Sequence, residues 1–310
     1  MASIAQAVTT NPILTNFAQG LAQDVASALA EFIAPSVIVP ATIGHFKKFD
    51  DKNLYQAVDT SRALGGARKR IEFDASDPTY NCKPQALEIG SDDAERAAAG
   101  EQDPLRLEQA KTQVLINSAT LSHENNVLTA IKAGVTAVTD TGRGNWSNND
   151  IDPIDQIDEQ INAIAQATGL MPNRIVIGLG AWYMLRKHPK VKGRVVYVKT
   201  AGFTQQDFAA CLLNPSIELR IGLLVKDTKK YPVAKSMSSV VGDECFIFYN
   251  QTAPSTYDPS FAKTFRGGAG SVDSVKMYRA EQNASDILAV DWSVDVQVVA
   301  SGLCRRLSIT

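Results

Sequence analysis

No two of the cysteines, Cys82, Cys211, Cys245 and Cys304, stand close enough to form a CxxC pair. Four dispersed thiols suit a reducing compartment, and they argue against a zinc knuckle and against any disulfide. Histidine is scarcer still. His45, His123 and His188 lie far apart, with no HExxH or other metal-ligand spacing. No apolar run reaches about 18 residues, so no membrane-spanning helix is expected. The N-terminus has no basic stretch followed by an apolar one, so no secretory signal is expected. Neither sign of charge is in excess: 31 Lys and Arg face 33 Asp and Glu, a formal net charge of -2, and neither end carries a basic run. A protein that condenses nucleic acid by neutralising phosphates needs such a run.

Catalytic signatures are missing too. There is no GxxxxGK[ST] phosphate loop and no GxSxG nucleophile elbow. Gly178-Leu179-Gly180 stands between a strand pattern and a helix pattern, as a dinucleotide loop would. Position 183 is Tyr183 where the third glycine belongs, and VVYVKTAG supplies no carboxylate about 20 residues on. A tight strand-to-helix turn is the expected role. The run DIDPIDQIDE lacks the EF-hand glycine and carries Pro153 and Ile154 in its middle. Its aspartates should instead favour the N-terminus of the helix that follows.

What is present is a folded chain. Of its 310 residues, 45% are hydrophobic and 21% charged, enough for one large or two modest domains. The organising stretch is DPLRLEQAKTQVLINSATLSHENNVLTAIKAG. Asp103 is its candidate N-cap, Pro104 its first helical residue and Gly134 its C-cap. Leu107, Val114, Leu121 and Leu128 recur every seven residues as an apolar stripe. Such a helix spans roughly 40 Å at about 1.5 Å per residue. Glu124 lies one turn after Thr120 beside that stripe, where a satisfied polar residue at an interface is expected rather than a catalytic acid.

Ahead of the helix, Ile13, Phe17, Leu21, Val25, Leu29 and Phe32 make an amphipathic helical pattern ended by Pro35 and the extended run SVIVP. From Gly44 to Gly90, aromatic residues alternate with charges, the signal of half-exposed strands around a Gly65-Gly66 turn. Lys47 and Lys48 stand near its start, and Arg62, Arg68, Lys69 and Arg70 crowd its tip. A lone two-stranded ribbon is marginal in water, so this limb should lie on another surface, an acidic protein face being the favoured one.

Behind the helix, TDTGRGNWSNND reads as a loop. Ile154, Ile157, Ile161 and Ile164 then give a helical face ending at Gly169. A strand over 174–179, a helix stopped by Pro189, a strand over 194–198, a short helix over 203–213 and strands over 217–226 and 245–250 should follow. Strands over 275–279 and 287–299 close the chain, the second with Val290, Trp292, Val294, Val296 and Val298 on one face. Strands this well patterned should pair with an earlier part of the fold, alongside the long helix.

In this order the sequence resembles the major capsid proteins of tailed bacteriophages, which share the HK97-type fold. FIAPSVIVP resembles the end of that family's N-terminal arm, and GHFKKFDDKNLY with RALGGARKRIEFDASDPTYNCKPQALEIG resembles its extended loop. DPLRLEQAKTQVLINSATLSHENNVL resembles the spine helix, and IDQIDEQINAIAQATGLMPNRIVIGLGAWYMLRKHPKV the opening of the axial domain. The resemblance implies an α+β fold with an arm over 1–43, an extended β loop over 44–90, and a peripheral domain with the spine helix over 91–150. An axial domain over 151–271 and a return to the peripheral domain over 272–310 would complete it. It further implies a structural subunit and no enzyme, without cofactor or metal, assembled in the host bacterial cytoplasm and resident in the virion. Pentamers and hexamers of it would form an icosahedral shell around double-stranded DNA, touched weakly and non-specifically, with portal, scaffolding or decoration proteins as partners and no membrane. Lys47, Lys48, Arg62, Arg68, Lys69, Arg70 and Glu124 are the expected assembly contacts. Two other readings fit: an encapsulin-like nanocompartment shell, and a soluble α/β enzyme with an unrecognised site.

Overall fold

In the computed structural model, residues 9–10, 29–46, 48–49, 57, 59–62, 64–68, 75–99, 104–138, 145–196, 204–229, 232–267 and 274–309 are described. The helical pattern from Ile13 to Val25, together with Lys47, Lys69 and Arg70, lies outside the described residues. The strands, in chain order, are β1 (Thr9–Thr10), β2 (Ser36–Val39), β3 (Ile43–His45), β4 (Lys48–Phe49), β5 (Ala75–Ser76), β6 (Thr79–Asn81), β7 (Lys83–Asp92) and β8 (Ala137–Val138). After them come β9 (Arg174–Gly178), β10 (Glu218–Gly222), β11 (Val225–Asp227), β12 (Met237–Ser239), β13 (Glu244–Phe248), β14 (Ala262–Gly267), β15 (Ser274–Ala280), β16 (Ser285–Val298) and β17 (Cys304–Ser308).

The helix Pro104–Gly134 runs its full expected length. It serves two cores in turn. In its middle, Leu115 and Ile116 pack on Leu288, Val290, Trp292 and Val294 of β16. Towards its end, Val127, Leu128 and Ile131 pack on Phe246 and Phe248 of β13. The expected seven-residue stripe holds at Leu128 but fails at Val114, which is 56% exposed. A straight helix drifts about 20° per heptad, so a strict sevenfold repeat cannot stay on one face for 31 residues.

β16 is the axis of the first sheet. Its first half lies between β15 and β7, both antiparallel, and its second half pairs with β14, which pairs in parallel with β2. The second sheet runs β10-β9-β13-β17-β8. Alternation along its strands sends Ile175, Ile177, Cys245 and Ile247 into a core with the helix Pro153–Thr168. Val176, Phe246 and Phe248 face the other way, onto the long helix and residues Leu29–Ala34. Arg306 locks the two layers together. It donates to the carbonyls of Lys132 and Val135 at the end of the long helix and pairs with Glu244 at 2.6 Å. Those carbonyls have no partner within a helix, so the arginine satisfies them from outside.

Three expectations change. The stretch expected as a strand from Arg194 is helical to Val196, in the helix Pro189–Val196, because Pro189 sets a first helical turn and Val191 turns inward. Lys83–Gly90, expected in the extended loop, lies in β7 and pairs along β16. The C-terminal stretch does not return wholly to the first sheet, since β17 pairs with β13 and β8 in the second.

Candidate functional site

Two places concentrate exposed or unsatisfied groups, and both sit where the first sheet meets the segments leading into it. The first is the limb. Its base is anchored in its own subunit. Phe46 and Tyr80 are buried, with Tyr80 stacked on Phe265 at 4.8 Å and Phe46 beside the same ring at 5.1 Å. β3 pairs with β6, and β4 with β5. Gly44 is required there, because a Cβ would run into the Tyr80 phenol. Farther out, Arg62, Leu64, Gly65, Gly66, Ala67 and Arg68 are all exposed, and Gly65 turns the chain at φ +80°. Of Lys48 the structure gives the backbone position alone, in β4.

The second place is a groove of about 260 Å³ where residues 30–31, the middle of the long helix, β14 and β16 meet. Glu124 lies on its floor, only 1% exposed. The short helix Ala30–Ile33 has no side-chain cap of its own, since Leu29 occupies the N-cap position. Glu124 supplies one from 94 residues away: its Oε1 accepts the Ala30 N–H at 2.6 Å. A carboxylate at a helix N-terminus is worth about 0.5–2 kcal/mol as a cap. Glu124 Oε2, both ring nitrogens of His123 and Trp292 Nε1 are buried with no partner among the described residues. At the rim, Glu31 accepts from Arg266 Nη2 at 3.0 Å and from the Ser36 N–H at 2.9 Å. Arg266 Nε donates to Ser36 Oγ at 2.8 Å, fastening β2 to β14.

Burial raises the Glu124 carboxyl above its usual range, and the N–H groups of Ala30 and Leu29 pull it part of the way back. Burial depresses the His123 imidazole to about 4, with Arg266 adding to the effect and Glu31 opposing it. The signs for stability are opposite. His123 is held neutral in the fold, so its contribution is present above about 6.5 and is lost as pH falls toward about 4, at about 1.4 kcal/mol per unit. Glu124 favours the fold on protonation. The expected result is that His123→Gln unfolds in urea with a smaller loss of stability between pH 7 and pH 4.5 than wild type. Equal losses in the two proteins would refute the assignment.

Of the residues expected as assembly contacts, Glu124 is thus a buried cap, not a surface group. Arg62 and Arg68 are exposed on the limb. The sequence reading missed His123, Trp292, Glu31 and Arg266. The adjacent pair His123-Glu124 sits in the polar run Ser122–Asn126, so nothing local marked it. Arg266 and Glu31 lie 235 residues apart, and nothing local announces their pairing.

Chemistry of other kinds finds little footing. Among the described residues no group of three or more His, Cys, Asp or Glu side chains could hold a metal ion. The four cysteines are unpaired, and burial pushes each thiol up, away from a reactive thiolate. Asp152 caps the helix Pro153–Thr168 by accepting the Ile154 N–H at 3.0 Å, as expected of a residue in that acidic run. At Gly178-Leu179-Gly180 the space a phosphate would need is filled. The Gly242 carbonyl presses on Gly178, and the Asp243 side chain lies against Gly180. Among the described residues no helix is long and apolar enough to cross a membrane.

No protein-family model and no curated protein matches this sequence. Solved structures do. A phage-related protein from Bordetella bronchiseptica superposes with a TM-score of 0.76 at 21% identity, over 98% of each chain. A subunit of the mature capsid of bacteriophage PhiM1 gives 0.56 at 11% identity, over 91% of this chain and 86% of that one. An encapsulin complex from Synechococcus elongatus gives 0.52 at 9% identity, over 99% and 92%. At these identities the likeness establishes the fold: an α+β, HK97-like fold, end to end.

Proposed function

We propose that this chain is a structural shell subunit of a tailed bacteriophage, self-associating into the pentamers and hexamers of an icosahedral capsid around double-stranded DNA. The observation that carries the reading is the end-to-end likeness: 98% of this chain and 98% of the phage-related protein superpose. The limb supports it, since a long excursion with exposed arginines at its tip suits contact with another protein. With a net charge of -2 and no basic arm, contact with DNA would be weak and indifferent to sequence. Portal, scaffolding or decoration proteins would be its further partners, and the virion its place. The encapsulin likeness favours a second reading, a shell packed with protein. The contents of purified particles, nucleic acid or protein, separate the two.

The test is a charge reversal. Replacing Arg68, Lys69 and Arg70 together by glutamate is expected to leave the subunit folded by circular dichroism and to prevent or strongly reduce particle formation by sedimentation. Exposed charge pairs contribute about 0–1 kcal/mol each, but a shell repeats every contact many times. The defect should shrink at high salt, because screening already acts over about 10 Å at 0.1 M. Wild-type assembly by the triple variant would remove the limb from the interface.

A further inference from the structure

We propose that the turn joining the helices Leu179–Lys187 and Pro189–Val196 carries a surface for the phosphate backbone of double-stranded DNA. This rests on the DNA-shell reading above and adds the place where such a shell would touch its contents. Residues 186–194, RKHPKVKGR, hold five cations and no carboxylate, in a chain whose acids outnumber its bases. Arg194 is already neutralised, 2.8 Å from Asp152 and 2.7 Å from Asp155. The other four are not. Arg186, Lys187, Lys190 and Lys192 are exposed and pair with no carboxylate among the described residues. Lys190 donates to the Asp150 carbonyl, and the Lys187 ammonium lies over the Tyr183 ring, 4.2 Å from its centroid.

Half of this charge has a local reason. Arg186 and Lys187 stand in the last turn of their helix, where the negative end of the dipole favours cations. Lys190 and Lys192 are placed the other way, within the first four residues of the next helix, whose first turn holds no acid. There the dipole opposes them. An anion lying across the turn offsets that opposition and the mutual repulsion of four unpaired cations. The surroundings select which anion. Leu185 and Val191 are turned inward, so beyond Leu179 and Tyr183 the face offers little apolar surface to bury. Protein interfaces keep lysine out of their centres, whereas DNA interfaces are polar and positively charged. A side chain added at Gly193 would meet nothing, so the helix can lie flat against a rod. Contacts of this kind hold phosphates without reading bases.

The experiment combines Arg186→Gln, Lys187→Gln, Lys190→Gln and Lys192→Gln, and follows binding of the unassembled subunit to a short fluorescent duplex across a salt series. A plot of log affinity against log salt should be steeper for wild type by about 3.6, the worth of four neutralised phosphates, with at least about a ten-fold loss of affinity at low salt. Equal slopes would overturn the surface while leaving the shell reading intact. Particles that hold protein and no nucleic acid would overturn both. A larger loss of DNA binding on replacing Arg68, Lys69 and Arg70 by glutamate would move the contact to the limb and overturn it. Equal affinity for a polyglutamate chain of the same charge would make the face a seat for an acidic protein, and a folded variant that no longer forms particles would make it a contact between subunits; either overturns it. A second variant guards against loss of fold: Lys190→Gln with Lys192→Gln removes charge only where the dipole opposes it. With unchanged circular dichroism, it should lower the slope by about 1.8, and an unchanged slope would overturn the proposal.

Discussion

Alanine at Gly178 is expected to abolish the native fold of the second sheet, the largest effect of a single added methyl group at any described glycine. The reason is not backbone conformation. Gly178 sits at φ -66° and ψ 152°, which any residue adopts. The obstacle is the neighbour: an added Cβ would overlap the carbonyl oxygen of Gly242 and lie 2.9 Å from its carbon and 3.5 Å from the Glu244 nitrogen. All three are main-chain atoms at the mouth of β13, which is hydrogen-bonded on one side to β9 and on the other to β17. Gly242 itself is held at φ +77°. Nothing there can rotate away, as a side chain could. Overpacking a core costs about 1–3 kcal/mol when neighbours adjust, and here the cost should reach or pass the top of that range. Urea unfolding of Gly178→Ala should show a midpoint far below wild type or no cooperative transition. Gly180→Ala, which meets only the movable Asp243 side chain, should lose much less. Equal midpoints for the two would refute the argument.

The second large effect belongs to Lys263. Its side chain is wholly buried, and so is that of its partner Asp258, at 0% and 4% exposure; Nζ lies 2.8 Å from Oδ1. The same ammonium donates to the Asp258 carbonyl, while the carboxylate also accepts from the Ser255 N–H at 2.6 Å and from the Ser260 hydroxyl. Burial works to raise the Asp258 carboxyl, and the hydrogen bonds from Lys263, Ser260 and Ser255 outweigh it, holding the group below its usual range. Removing one partner of such a pair strands a charge in a dry site. Lys263→Ala should therefore lose about 3–5 kcal/mol, whereas Lys263→Met combined with Asp258→Asn should recover much of the loss. If the double variant is no more stable than Lys263→Ala, the pair is not the cause. The arrangement also fixes the turn that presents Tyr257, 66% exposed, to the outside.

Local punctuation explains what the sequence disclosed. Pro104 and Gly134 bracket one helix, and Asp152, Pro153 and Gly169 bracket another, whose Ile154, Ile157, Ile161 and Ile164 are all fully buried. Gly169 adopts φ 67° at its C-cap, the left-handed geometry that glycine supplies. The face of β16 carrying Val290, Trp292 and Val294 was equally plain, because alternation is a local property. Pairing is not local. Nothing around Cys304 tells that β17 joins β13 instead of the sheet it follows, and nothing around Glu124 tells that its partner is the main chain of Ala30. At Arg194, valines that favour strands are overruled by a proline-initiated helix packed through Val191. The groove lay hidden for the same reason: its lining comes from four separate stretches of chain, each bland in isolation.

The central place of β16 has a consequence for the order in which this protein can come into being. The hydroxyl of Ser293 reaches the Cys82 carbonyl across 211 residues, and the apolar middle of the long helix rests on the same strand. A ribosome adding about 5–20 residues per second finishes that helix on the order of ten seconds or more before its cover emerges. During that interval Leu115 and Ile116 face solvent, along with β7, which has no partner for its edge. Non-local pairing of this kind folds slowly, and its intermediates are those that chaperones bind. Completion is also a checkpoint. A chain interrupted before Ser285 owns neither the axis of its first sheet nor β17, the strand that joins β13 to β8 in its second. Prematurely terminated products are thereby kept out of any assembly by their failure to fold, with no need for a partner to inspect them.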